Sequence, residues 1–155
     1  AFEQIVDALL ALVKQAGMEG RVTVQGFDWR ALLRVQQRAP GLPTAYLSAQ
    51  TPRFNTIADG AWTAGFGLAE HGTLPKMVKA AGGTVWSPNF YDLSARLVEE
   101  AHALDLQVLP WTVNEPSDME RLIGWGVDGL ITDYPDRALA VLRARGLPLP
   151  AAQKN

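Results

Sequence analysis

Residues 107–135 read QVLPWTVNEPSDMERLIGWGVDGLITDYP, and this stretch decides the fold. Its first part, Gln107 to Val113, is a short apolar and β-branched run, which predicts a strand. Pro116 suits the first turn of a helix, because a residue there needs no amide hydrogen, and the pattern runs to about Trp125 before Gly126 stops it. Gly129 to Thr132 (GLIT) predicts the next strand, and Asp133 and Pro135 open another helix. A strand, a helix and a second strand in this order form a βαβ unit, whose strands lie parallel.

The same alternation extends back to the N-terminus. Phe2, Ile5, Leu9, Leu12 and Val13 fall on one helical face, with Gly17 as the stop. Arg21–Phe27 (RVTVQGF), Thr44–Leu47 (TAYL) and Thr84–Trp86 (TVW) predict three more strands. Asp28 is placed to cap the helix that follows the first strand, and Asp92 the helix that buries Leu93, Leu97, Val98, Ala101 and Leu104. A further helix covers Leu74–Ala81 and ends at Gly82-Gly83. Residues 51–72 are the exception, an irregular Gly-rich segment holding Phe54, Trp62 and Phe66. A loop that long in a compact domain is functional or partly helical, and around Trp62 it reads as a candidate lid.

Five strands separated by helices indicate a parallel sheet. Two closures remain, an open doubly wound sheet or a barrel. No GxGxxG follows the first strand, so nothing supports a dinucleotide site. Polar and aromatic residues gather instead at the C-terminal ends of the strands: Gln25, Trp86, Trp111, Asn114, Thr132 and Asp133. That is where a (β/α)8 barrel builds its site.

Composition narrows the class. The 155 residues are 48% hydrophobic, which is enough for one core and too little chain for two domains. The net charge of −2 gives no footprint for nucleic acid, and no apolar run approaches the length of a membrane span. The absence of cysteine rules out disulfides and thiolate metal sites, and is consistent with a cytoplasmic protein, a periplasmic one being the alternative. The N-terminus has no basic signal region and starts inside an amphipathic pattern, as expected of a cut or processed chain. The division expected is a body over 1–146 and a loosely docked or disordered tail over 147–155.

Four phrases in order resemble the glycerophosphodiester phosphodiesterase family: Val24–Asp28 (VQGFD), Trp86–Pro88 (WSP), Ala101-His102 followed by Val108–Asn114 (VLPWTVN), and Gly126–Pro135 (GVDGLITDYP). Gly26 departs from the serine usual in the first phrase, and Asp105 from the glycine usual before the fourth strand. The resemblance implies an α/β fold made of the C-terminal five βα units of a (β/α)8 TIM-type barrel, of the phospholipase C-like phosphodiesterase type. It implies a hydrolase that splits glycerophosphodiesters into glycerol 3-phosphate and an alcohol with a divalent cation, Mg or Ca. The family's His-Arg-Gly, Glu-x-Asp, His-Asp and Glu-x-Lys motifs precede the first phrase and do not occur here. No catalytic residue and no metal ligand is therefore expected in this chain, which alone would be inactive. By resemblance Trp111 lines the pocket on the glycerol or alcohol side, and Gln25 and Phe27 sit at a neighbouring strand end.

Simpler roles compete. His102 is read as a packing or capping residue, Asp133 as a helix cap, and Asp128-Gly129 as a turn. His71, with Glu70, lacks a third metal ligand at suitable spacing. Two alternatives stay open for the chain itself: part of a related lipid-headgroup phospholipase, or a non-catalytic barrel fragment that pairs with a separate N-terminal piece or forms a homo-oligomer to cover its open strand edges.

Overall fold

The structure, a computed structural model, describes residues 2–151; Ala1 and residues 152–155, part of the expected tail, lie outside the described residues. Helix α1 (Phe2–Gln15) leads into β1 (Val24–Gly26), α2 (Trp29–Arg38) and β2 (Thr44–Ser48). A small hairpin, β3 (Gln50–Thr51) and β4 (Phe54–Asn55), and a one-turn helix α3 (Leu68–His71) lie at the two ends of the segment read as irregular, with turns and bends between them. Then come α4 (Leu74–Ala80), β5 (Val85–Pro88), a 3-10 turn at Phe90–Asp92, α5 (Ala95–Ala103), β6 (Gln107–Val108), α6 (Pro116–Gly124) and α7 (Pro135–Ala144).

The sheet runs β1-β2-β5-β6, and every pairing is parallel. Its register sets two faces. Gly26, Tyr46, Trp86 and Val108 share one level, and the last three are buried in the core between sheet and helices. Alternation therefore turns Gln25, Ala45, Val85 and Gln107 to the other face, which in a barrel is the interior. The architecture is a section of a (β/α)8-type barrel, with helices on one face of a parallel sheet.

Two predicted strands come out differently. The strand expected over Gln107–Val113 is regular only at Gln107–Val108, although Leu109 N and Trp111 N still bond to Trp86 O and Pro88 O at 2.9 and 3.1 Å. The strand expected over Gly129–Thr132 is not regular at all. Its segment nevertheless lies beside β6, with Asp128 N on Val108 O (3.0 Å), Ile131 N on Pro110 O (3.0 Å) and Val113 N on Ile131 O (2.9 Å). Pro110 has no N–H to donate, so this last ladder is missing a rung where a regular strand would need one.

The caps also differ in part. Asp28 caps α2 as expected, accepting from Arg30 N at 3.1 Å. Asp92 does not cap α5; Ser94 does, and the Asp92 carboxylate accepts from Gln50 N at 2.7 Å, tying the 3-10 turn to the hairpin. Asp133 does not cap α7 either, because its carboxylate accepts from Asn114 Nδ2 at 2.9 Å. Both carboxylates were taken by a partner distant in sequence. At Asp105 the family's glycine preference has a visible cause: φ is +57°, and Leu106 N closes the end of α5 on Ala101 O.

On α1 the predicted apolar face is rotated. Val6 is buried and, with Leu10 and Val13, packs against Val35 and Leu42, while Asp7 pairs with Arg34 of α2. Ile5, Leu9 and Leu12 stay exposed at 70%, 38% and 63%. The helix is apolar over more of its circumference than one neighbour can cover. At the opposite end of the sheet, a groove of about 800 Å³ is flanked by Ile123, Leu130, Leu139 and Leu142, with Leu147–Pro150 along it.

Candidate functional site

The C-terminal ends of the strands carry an aromatic cluster on the inner face. The Phe27 ring meets the Trp111 ring edge-on, centroids 5.5 Å apart, and meets Phe54 at 5.3 Å, also edge-on. Both are favoured aromatic geometries. Phe27 and Trp111 are half-buried, and Phe54, at the hairpin, is 47% exposed. Two residues below Phe27 on the same face, the Gln25 side chain is exposed.

Trp111 is held from below. Its indole N–H donates to Ser87 O at 2.7 Å, and its backbone bridges to Asn89 beside it. The only donor of the side chain is thus occupied, and what the ring offers a ligand is its apolar face. That suits carbon or a cation and not a phosphate oxygen.

The neighbouring strand ends are joined by one amide. Asn114 Oδ1 accepts from Thr132 Oγ1 at 3.1 Å and from Asp133 N at 3.0 Å, while Nδ2 donates to Asp133. Arg137 of α7 reaches back to Asn114 O at 2.9 Å and to Glu115 Oε1 at 3.3 Å. Asn114, Thr132 and Asp133 therefore form a brace at the top of the sheet section. Nearby, burial pushes the Asp92 carboxyl above its ordinary value, opposed by its bond from Gln50 N–H.

The remaining predicted residues lie elsewhere. Trp86 is fully buried in the helix-facing core, its N–H on Ser48 Oγ at 2.9 Å, so it is removed from the site. His102 is exposed on α5 and bonds Asp128 at 3.0 Å; the same Asp128 oxygen accepts from Val108 N at 2.7 Å, so Asp128 does more than turn the chain. His71 stacks near Phe66, 5.7 Å between centroids, with Glu70 at 3.6 Å. Among the described residues no three His, Cys, Asp or Glu side chains group to hold a metal ion, so these residues do not fit the implied divalent cation. Phe54, from the segment read as a candidate lid around Trp62, joins the cluster, while the Trp62 carbonyl accepts from Trp29 N at 2.8 Å. No local signal distinguishes those two loop aromatics, because the hairpin that brings Phe54 over Phe27 is too short to show alternation.

A parallel sheet section with helices on one face and an aromatic cluster at its C-terminal strand ends defines an α/β section of (β/α)8-barrel type. The model of the glycerophosphoryl diester phosphodiesterase family matches residues 1–137, and the chain belongs to that family. A Bacillus subtilis glycerophosphodiester phosphodiesterase is 32% identical over 117 residues, 76% of this chain and 35% of the relative. One from Caldanaerobacter subterraneus is 28% identical over 142 residues, 92% of this chain and 51% of the relative. A Silicibacter pomeroyi structure, provisionally described as a glycerophosphoryl diester phosphodiesterase, superposes with a TM-score of 0.80 and 40% identity over 96% of this chain and 47% of that one. The chain thus spans about half the length, or less, of the relatives it matches. No helix among the described residues is long and apolar enough to cross a membrane.

Proposed function

We propose that this chain, with residues 1–146 as its body and 147–155 as a tail, is the C-terminal section of a glycerophosphodiester phosphodiesterase barrel. The intact protein hydrolyses a small glycerophosphodiester to glycerol 3-phosphate and an alcohol, using a divalent cation, Mg or Ca, whose ligands lie outside this chain. The observation that carries the reading is the Phe27–Trp111 pair at the C-terminal strand ends, in a member of this family. In this division of labour Trp111, Phe27 and Gln25 bind and orient the organic part of the substrate and keep water from it. The aromatic faces meet carbon, and Gln25 offers an amide to a hydroxyl. The attack on phosphorus and the proton transfers belong to residues beyond this chain. The lack of cysteine supports the cytoplasm as the compartment.

The two uncovered edges support a barrel completed by further βα units. Ile5, Leu9 and Leu12 at one edge and the groove beside Leu130 and Leu142 at the other are apolar surfaces of the kind a neighbouring strand and helix cover. Covering them by a second copy of the chain is the competing reading. Size-exclusion chromatography with intact mass separates the two, since the fragment with its completing piece differs in mass from a homodimer. For the activity, the intact protein is assayed on glycerophosphocholine with and without a chelator. Turnover that chelation abolishes is expected; turnover indifferent to chelator, or none across several headgroups, sinks the reading.

A further inference from the structure

The segment that follows β2 is held differently in its two parts. Around Trp62 it is fastened: the Trp62 carbonyl accepts from Trp29 N at 2.8 Å, and Thr63, fully buried, donates its hydroxyl to Phe66 O at 2.6 Å. The β3–β4 hairpin is fastened only at its base, where Thr56 N donates to Ala49 O at 2.9 Å and Ala49 N to Thr56 Oγ1 at 3.1 Å. Pro52, Arg53 and Phe54 at its tip are exposed. Among the described residues, one ring contact and one hydrogen bond join residues 50–55 to the chain outside their own loop. Phe54 meets Phe27 edge-on with centroids 5.3 Å apart, and Gln50 N donates to the Asp92 carboxylate at 2.7 Å. A ribbon of two-residue strands has little stability of its own, and a single edge contact between partly exposed rings adds little. The position of the hairpin over Phe27 therefore hangs on Asp92.

Asp92 is well placed for that task. Phe90 N donates to Trp111 O at 3.0 Å, Asn89 N to Ser48 O at 2.8 Å and Asp92 N to Asn89 O at 3.0 Å. The 3-10 turn is thus tied both to the run that carries Trp111 and to the end of β2. Ser94 caps α5, which leaves the Asp92 carboxylate for the hairpin. The contacts close a ring: from Trp111 to the turn, from Asp92 to Gln50, from Phe54 to Phe27, and from Phe27 back to Trp111. Asp92 is the charged link in it, and a hydrogen bond to an ionised acceptor is stronger than a neutral one.

We propose that the β3–β4 hairpin is a flap over the inner-face aromatic site and that Asp92 is the positioning residue that latches it closed, setting Phe54 against Phe27. The inference rests on the phosphodiesterase reading and deepens it by naming how that site is closed. Asp92 acts through Phe54 and not on the substrate. Opening breaks the Asp92–Gln50 bond and the Phe54–Phe27 contact while the base of the hairpin stays in place.

The test uses the intact protein with its divalent cation, on glycerophosphocholine. Asp92→Ala is expected to raise KM about fivefold, the size of one lost hydrogen bond to a partly buried carboxylate, with kcat within about twofold of wild type. Asp92→Asn keeps an acceptor and is expected to bring KM back to within about twofold of wild type. Phe54→Ala should raise KM by a similar factor, and adding Asp92→Ala to it should raise KM no further, because the latch acts through Phe54. An unchanged KM in Asp92→Ala overturns the proposal, as does a double variant in which the two effects multiply. Should Asp92→Ala fail to fold, Phe54→Ala decides, and an unchanged KM there overturns the proposal. NMR cross-relaxation between the Phe54 and Phe27 rings, followed in the same variants, needs no turnover. If no diester is hydrolysed yet the ring contact vanishes in Asp92→Ala and returns in Asp92→Asn, the latch stands and the phosphodiesterase reading falls. If diesters are hydrolysed and the ring contact persists in Asp92→Ala, the phosphodiesterase reading stands and the latch falls.

Discussion

Trp86 and Trp111 lie on adjacent runs of the sheet, in motifs that look alike as sequence, and they do opposite things. Trp86 points to the helices, is fully buried and donates to Ser48 Oγ. Trp111 stays half-exposed on the inner face, donates to Ser87 O and meets Phe27 edge-on. The difference is one of face. The helix side of this sheet is a closed packing layer, with Tyr46, Trp86 and Val108 level with one another against α4 and α5. The inner side is a surface whose aromatic residues have room for a ligand. A tryptophan on the first side holds the fold together, and one on the second is available for function.

The largest expected effect separates those two roles directly. Trp86→Ala is expected to cost about 3–5 kcal/mol, the range for emptying a large core site. Trp111→Ala is expected to cost about 1–2 kcal/mol, because less of its surface is buried. In the intact protein Trp111→Ala should also lower kcat/KM on the order of tenfold, by loosening how substrate is held. Urea denaturation and steady-state kinetics measure these effects, and equal stability losses would break the comparison.

A smaller effect tests how tightly the helix side is packed. A Cβ on Gly83 would come within 2.7 Å of Val78 Cγ1 and 2.8 Å of the Tyr46 ring. Tyr46 has little freedom to move: its hydroxyl donates to Ala81 O and accepts from Gln36, and burial pushes its pKa up to about 12. Gly83→Ala is expected to destabilise by about 1–3 kcal/mol through overpacking. A neutral result in thermal denaturation would mean that the layer is looser than this geometry.

The smallest effect lies at the boundary between the faces, where Asp28 follows Phe27. The hydrogen-bonded Arg30 guanidinium holds the Asp28 carboxyl below the usual carboxylate range, against the opposing effect of burial. A lowered folded pKa means the stabilisation is fully present above the unfolded value near 4 and is lost as pH falls through the folded value. Asp28→Asn keeps the cap and loses the ion pair, so its deficit at pH 7 is expected to be below about 1 kcal/mol. Wild type and variant should converge on acidification. A deficit that persists unchanged to pH 2 would assign the effect to the cap geometry instead of the charge.

Local chemistry made much of this legible beforehand. Pro116 and Pro135 start their helices where a missing N–H does no harm, and Asp28 caps α2 through a bond two residues away. The strand ends carry the candidate residues, and Phe27 and Trp111 meet there on the inner face. Asp92 and Asp133 were misjudged because each had a plausible local role and a better distant partner, Gln50 N and Asn114, and Asp128 gains Val108 N and His102 beyond its reading as a turn residue. Phe54 was not singled out because only the hairpin, too short to show alternation, brings it to Phe27.

By itself, then, the sequence determined the alternation of parallel strands and helices, the starts of most helices and the family phrases at the strand ends. These depend on interactions within a few residues, which composition and spacing record. Tertiary structure alone decided which tryptophan is core and which stays partly exposed on the inner face, where the spare carboxylates go, and which stripe of α1 is covered. Those outcomes depend on register between distant segments, where a shift of one residue exchanges the two faces of a strand.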